Sequence, residues 1–279
     1  MAHTRIAYMP LATYPEAVAD ESIQAAAAFA ASLECTVNVT TFAVDIPRVS
    51  SGLGDLLIDI PGLVHAAEEK SRAECRRLHD LAHGVAAPHL QVHCTTREIA
   101  LGAVLDAAAA EARYFDLTLL PWYGETVAAQ DMTQAVVFGS GRPAVLVPKS
   151  TQPASLEHIA IAWDASRVAA RALGDALPLL AEGGRISVLT VQDEKPLGGS
   201  DLAGALVSSL EKRGFSATPL EITLGKRTIA EALQDTALSN GAQLLAMGAF
   251  GHSRIRDFIL GGATKGVLTQ MRLPILLSH

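Results

Sequence analysis

A chain of 279 residues that is 49% hydrophobic and 18% charged has material for two buried cores of ordinary domain size. Its net charge of -7 is uneven, with 10 Lys and Arg against 17 Asp and Glu in residues 1–150, and 12 against 12 in residues 151–279. No basic stripe is present to neutralise nucleic-acid phosphates, no apolar run approaches the ~20 residues that cross a bilayer, and the first strand pattern breaks at Pro10 unlike a secretory signal. Three widely spaced cysteines, Cys35, Cys75 and Cys94, form neither a disulfide framework nor a CxxC motif, so a soluble cytoplasmic protein is expected.

In chain order, 5–9 reads as a strand, 16–33 as a helix and 36–44 as a β-branched strand. A polar loop with Ser50, Ser51 and Gly52 leads to a long helix over 56–83 that Gly84 is expected to stop. Then come a strand at 90–95, a helix at 98–112, a strand at 115–120, a helix at 126–138 and a strand at 143–148. Residues 149–157, rich in Ser, Thr and Pro, are the expected linker. The pattern then restarts: strand 159–163, helix 167–180, strand 185–191, helix 201–212 after Gly198 and Gly199, strand 218–223, helix 228–239, strand 243–247, helix 263–271, strand 273–277. Strands alternating with helices imply parallel sheets with right-handed crossovers. The endings Arg142-Pro143-Ala144-Val145 and Arg272-Leu273-Pro274-Ile275 agree, and internal duplication is the best account. The fold class expected is therefore α/β, two tandem five-stranded parallel-sheet open α/β domains, Rossmann-like, over residues 1–150 and 151–279.

Ligands of open parallel sheets bind beyond the carboxyl ends of the strands. One such end is Met247-Gly248-Ala249-Phe250-Gly251, followed by nine residues and then Gly261-Gly262-Ala263-Thr264 before a helical pattern. Glycines there let a ligand approach the backbone, and a helix start offers unpaired N–H groups, which suits a phosphate; the same glycines also punctuate ordinary connections. Asp164, after the first strand of the second half, suits either a ribose hydroxyl or a helix cap, and Ser166 is read as a cap. Arg254, Arg256 and Lys265 surround the loop as solvated charges, and Ile255, Phe258, Ile259 and Leu260 as its anchors. Cys75, His79 and His83 have an allowed metal spacing on one helix but are read as surface or helix-packing residues, and no Walker loop, nucleophile elbow or HExxH motif occurs.

The Gly-x-x-Gly, nine residues, then Gly and a small residue, between the fourth strand and the last helix, resembles the nucleotide-binding loop of the universal stress protein family. Asp164, Val191 and the closing Pro274-Ile275-Leu276-Leu277 occupy family positions, and the resemblance covers both halves, as in a tandem member with an adenine nucleotide alpha hydrolase-like fold. It implies a stress-response regulatory protein that binds ATP or another adenine nucleotide, with magnesium as an optional companion. Asp164 and Val191 would hold the adenosine. Met247, Gly248, Gly251, Gly261, Gly262, Ala263 and Thr264 would form the phosphate loop. Gly262 departs from the family's Ser or Thr, removing a hydroxyl donor, with Thr264 one half-turn on. Some family members bind no nucleotide, and a structural or protein-interaction role is the alternative.

The first half departs further. Aligning Ile6 with Ile159 puts Leu11 opposite Asp164, and aligning Leu120 with Met247 puts Pro121 opposite Gly248, in a loop about four residues shorter. Proline removes an N–H donor, so one nucleotide site per chain is expected, in residues 151–279. No nucleophile or general base converges on the loop, so turnover should be absent or that of a weak ATPase. An adenylyl-transfer enzyme would need a Ser-Gly-Gly-type loop where Trp163-Asp164-Ala165-Ser166 stands. The strands at 144–147 and 275–277 are expected to pair within the chain as a pseudo-dimer, leaving open whether two chains form a homodimer.

Overall fold

Ten strands assemble into a single sheet in the order β3-β2-β1-β4-β5-β10-β9-β6-β7-β8. The structure, a computed structural model, describes residues 4–47, 59–85, 90–124, 126–152, 154–192, 201–249 and 262–279. In the first half β1 (Ile6–Ala12), α1 (Asp20–Ser32), β2 (Thr36–Asp45), α2 (Ile60–Gly84), β3 (Val92–Ala100), α3 (Val104–Ala112), β4 (Leu117–Trp122), α4 (Val127–Gly139) and β5 (Ala144–Pro148) alternate as expected. The second half repeats the order with β6 (His158–Ala162), α5 (Arg167–Ala176), β7 (Arg185–Val191), α6 (Leu202–Lys212), β8 (Ser216–Ile222), α7 (Ile229–Ser239), β9 (Leu244–Gly248), α8 (Gly262–Thr269) and β10 (Ile275–Ser278).

Every neighbouring pair is parallel except β5 and β10, which join the halves antiparallel. Their register, Ile275 with Leu146, Leu276 with Val145 and Leu277 with Ala144, is symmetric about the Val145–Leu276 pair. All six side chains are fully buried. The seam expected from the sequence is thus present, and it removes two edges that would otherwise expose unpaired backbone groups.

Helices cover both faces. Residues of α1, α2, α5 and α6 pack on one face, those of α3, α4, α7 and α8 on the other, and each apolar layer runs across the seam. Helix starts are secured locally: Thr126, Ser166, Asp201 and Thr228 each accept an N–H of the first turn, and Thr228 with Glu231 completes a capping box.

Several boundaries differ from the sequence reading: β1 runs on through Pro10 to Ala12, still paired with β2, and α1 starts at Asp20 rather than at 16. Residues 98–100, expected to begin a helix, extend β3, where Glu98, Ile99 and Ala100 pair with Ala43, Val44 and Asp45. This edge strand is exposed along most of its length and lacks the inside–outside alternation that marks a half-buried strand. Gly84 is the last residue of α2, and Val85 is the cap. Helix α5 gives way at Ala176 to a 3-10 turn over Leu177–Leu179 containing Pro178, which has no N–H to continue the α ladder.

The ladders also correct the alignment of the two halves. Thr36 N donates to Arg5 O and Asp116 N to Ile6 O, as Arg185 N donates to Glu157 O and Gln243 N to His158 O. Ile6 therefore corresponds to His158 rather than Ile159. A slip of one residue along a strand would exchange its faces, and the packing agrees with the ladder: Ala7 and Met9 lie in the same apolar layer as Ile159 and Ile161, with Tyr8 and Ala160 in the other.

Candidate functional site

In the second half the chain order reverses between β6 and β9, because β6 leads outward to β7 and β9 leads to β10 on the other side. Connections that diverge at such a point leave a crevice beyond the carboxyl ends of the strands. Gly248 closes β9, Asp164 follows β6 by two residues and Val191 closes β7. Three residues singled out from the sequence thus stand at the same end of three adjacent strands. Gly262 opens α8, Ala263 is partly buried, and Thr264 is buried within the helix. Met247 belongs to the buried core beside α7 and α8. Gly251 and Gly261, with Arg254, Ile255, Arg256, Phe258, Ile259 and Leu260, lie outside the described residues, as do Ser50, Ser51 and Gly52. Lys265 is exposed.

The turn out of β6 is tight for identifiable reasons. Asp164 Oδ1 accepts the Ser166 N–H at 2.9 Å, and Ala165 takes a left-handed conformation at φ 59. Ser166 Oγ then accepts the Ala169 N–H at 3.2 Å, so the cap expected of Ser166 is present. Only residues 163–166 separate β6 from α5, against 13–19 between β1 and α1. The first turn of α5 consequently lies on the end of β9. A Cβ on Gly248 would stand 2.6 Å from the Val168 carbonyl carbon and 2.7 Å from Ala169 N. Helix packing therefore requires this glycine, independently of any ligand. At the next residue, Ala249 N donates to Ser278 O at 2.8 Å, so that N–H is spent within the sheet.

With the corrected register, Ala12 rather than Leu11 stands opposite Asp164, and Phe42 stands opposite Val191. Pro121 remains opposite Gly248, which puts Trp122 opposite Ala249. Phe42 and Trp122 are buried. Thr13 Oγ1 donates to Phe42 O at 2.6 Å and meets Ser71 Oγ of α2 at 2.6 Å, while Ser71 Oγ accepts the Val44 N–H at 3.0 Å. What remains at this switch point is a cavity of about 20 Å³ lined by Pro10, Ala12, Val18, Trp122, Tyr123 and Met132 among others, room for about one water.

Sequence reasoning missed Ala165, the size exchange between Ala249 and Trp122, and the reach of Ser71 from α2. Only the first two had a signal, a small residue beside the candidate acid and a tryptophan at a strand end. His79 Nε2 hydrogen-bonds Thr41 Oγ1 at 2.9 Å, a contact between α2 and β2. Among the described residues no group of three or more His, Cys, Asp or Glu could hold a metal ion, and no helix is long and apolar enough to cross a membrane.

Two five-stranded α/β units joined through their last strands define the class of protein. The sequence profile of the universal stress protein family matches residues 155–279. Universal stress protein Slr1230 of Synechocystis sp. is 30% identical over 175 residues, 58% of this chain and 57% of that relative, so the match spans little more than half of its length. Among solved structures, a universal stress protein from Archaeoglobus fulgidus DSM 4304 superimposes with a TM-score of 0.70 at 14% identity, covering 97% of this chain and 95% of that one. A putative universal stress protein from Pseudomonas aeruginosa UCBPP-PA14 gives 0.54 at 12% identity, covering 99% and 93%. At these identities the structures establish the fold. The universal stress protein profile thus covers residues 155–279, and the chain as a whole shares the fold of these solved universal stress proteins.

Proposed function

We propose that the chain is a stress-response regulatory protein of two domains, residues 1–150 and 151–279, in which only the second binds an adenine nucleotide. The observation that carries this reading is the convergence of Asp164, Val191 and Gly248 on the carboxyl ends of three adjacent strands at the reversal of strand order. There an acid can accept ribose hydroxyls, an aliphatic side chain can cover a base, and small residues leave space. Gly251, Gly261, Gly262 and the start of α8 would serve the phosphates, and the N–H of Ala249, already bonded to Ser278, would not. Magnesium would arrive with the phosphates of ATP. The role is regulatory rather than catalytic: the described part of the site supplies no nucleophile with a base beside it.

Mass spectrometry of nucleotide released from gently purified protein, followed by calorimetry with ATP and ADP, tests the reading. One site per chain is expected. Asp164→Ala should weaken it about tenfold to a hundredfold through lost hydrogen bonds to a charged acceptor. A ligand-free interaction protein is the second reading, favoured by Gly262 where the family's loop carries Ser or Thr. Absence of binding by the intact chain would decide for it.

A further inference from the structure

We propose that Phe138, on α4 of the first half, is a positioning residue for the ligand site of the second half, acting through His279 on the backbone at Ala249. This inference rests on the reading above. Because β5 and β10 are antiparallel, the carboxyl end of β10 lies beside the chain that enters β5, where α4 ends. There the His279 ring stands edge-on to the Phe138 ring, with centroids 4.9 Å apart and planes at 73°. Its Nδ1 lies 3.1 Å from Ala249 O. A carbonyl oxygen only accepts, so Nδ1 carries the proton and donates it, and the ring's orientation is held from the other half. Ala249 is the residue at which the chain leaves β9 for the glycine stretch. Its N–H is bonded to Ser278 O and its C=O to His279, so both backbone polar groups of Ala249 are held by the end of β10.

A second tie reinforces the first. Ser278 Oγ donates to Asp175 Oδ2 at 2.8 Å, and the same carboxylate accepts Arg171 Nε at 2.8 Å. Arg171 Nη2 donates in turn to Gly141 O of the first half at 3.1 Å. Arg171 and Asp175 lie on α5, the helix whose first turn closes over Gly248. Among the described residues the first half has no equivalent. Thr118 N donates to Pro143 O as Leu245 N donates to Pro274 O, which places Pro148 opposite His279. Proline offers no ring donor.

The test is calorimetry with ATP and ADP on the full chain and on Phe138→Ala, His279→Ala and the double variant, with thermal unfolding and amide exchange of the nucleotide-free proteins. Each single variant should bind about threefold to tenfold more weakly, as expected for loss of one aromatic contact. The double variant should be no weaker than the weaker single, and Phe138→Tyr should restore binding. The Ala249 amide should exchange faster in Phe138→Ala without nucleotide, a change that a uniform loss of stability would spread over the sheet. Should Phe138→Ala fail to fold, His279→Ala reports the same contact from its other side. If the intact chain binds nucleotide while both singles bind as tightly, with Ala249 equally protected, the inference falls and the functional reading stands. Additive losses in the double variant would also overturn the shared path. An intact chain that binds no nucleotide removes both.

Discussion

The two halves of the sheet share strand order, crossover pattern and facing helices, yet they differ where the strands end. Asp164, Val191, Gly248 and Ala249 in the second half stand opposite Ala12, Phe42, Pro121 and Trp122 in the first. The first-half residues are larger at three of these positions, and the pocket between β1 and β4 has room for about one water. The connection after the first strand differs as well, short before α5 and long before α1. The two halves thus differ in side-chain volume at a few strand ends and in how soon the next helix begins, not in the sheet.

The sharpest way to break this comparison is to enlarge the small end. Gly248→Val places a Cβ against the backbone of Val168 and Ala169, which cannot withdraw without moving α5. Urea unfolding should register a loss of about 1–3 kcal/mol, the usual cost of overpacking. Pro121→Gly in the first half should cost less, about 0.5–1 kcal/mol, for the freedom a glycine adds to the unfolded chain. Equal costs would mean that the close approach of α5 is not what sets Gly248 apart.

The opposite end of the same strands offers a second contrast, because His158 is buried where its counterpart Ile6 is exposed. His158 Nε2 shares a hydrogen bond of 2.8 Å with Ser187 Oγ. Burial, with the nearby Arg185 charge, holds its pKa below the ordinary 6.5. In the window between the two values the unfolded chain takes up a proton that the folded chain refuses. Stability from this group is therefore full above about pH 6.5 and falls as the pH drops below it, by at most about 1.4 kcal/mol per pH unit. Urea midpoints at pH 7.5 and 5.5 should converge in His158→Gln relative to the parent; an unchanged difference would assign the acid sensitivity elsewhere. The smallest effect is expected from Ala12→Asp with Pro121→Gly, which restores two of the differing positions while Phe42, Trp122, Thr13 and Ser71 still occupy the space. Calorimetric stoichiometry should stay at one nucleotide per chain, and a rise to two would show that volume is not the barrier.

Much of this was legible in the sequence, and what was not has physical reasons. Strand β7 is legible to the residue because Gly183 and Gly184 precede the β-branched and apolar run Arg185 to Val191. The end of β3 was read as helix because an exposed edge imposes no alternation on Glu98 to Ala100. The duplication was visible, but similarity between short apolar strands cannot fix register to one residue. The sequence alignment pairs Ile6 with Ile159, whereas the ladder pairs it with His158. Gly248 was noticed for a reason that is incomplete: the atoms that demand a glycine belong to Val168 and Ala169, eighty residues away in the chain. Ser71 and His279 act at strand ends through tertiary placement alone, and no local pattern announces it.

The seam through Val145 and Leu276 has one more consequence. When two identical chains meet across a two-fold axis, any substitution at the contact appears on both sides at once, so it must suit both. A seam inside one chain is free of that constraint. His279 on one side and Pro148 on the other show the freedom in use: the two ends of the joint can diverge, one toward holding a peptide unit in place and the other toward a plain strand end.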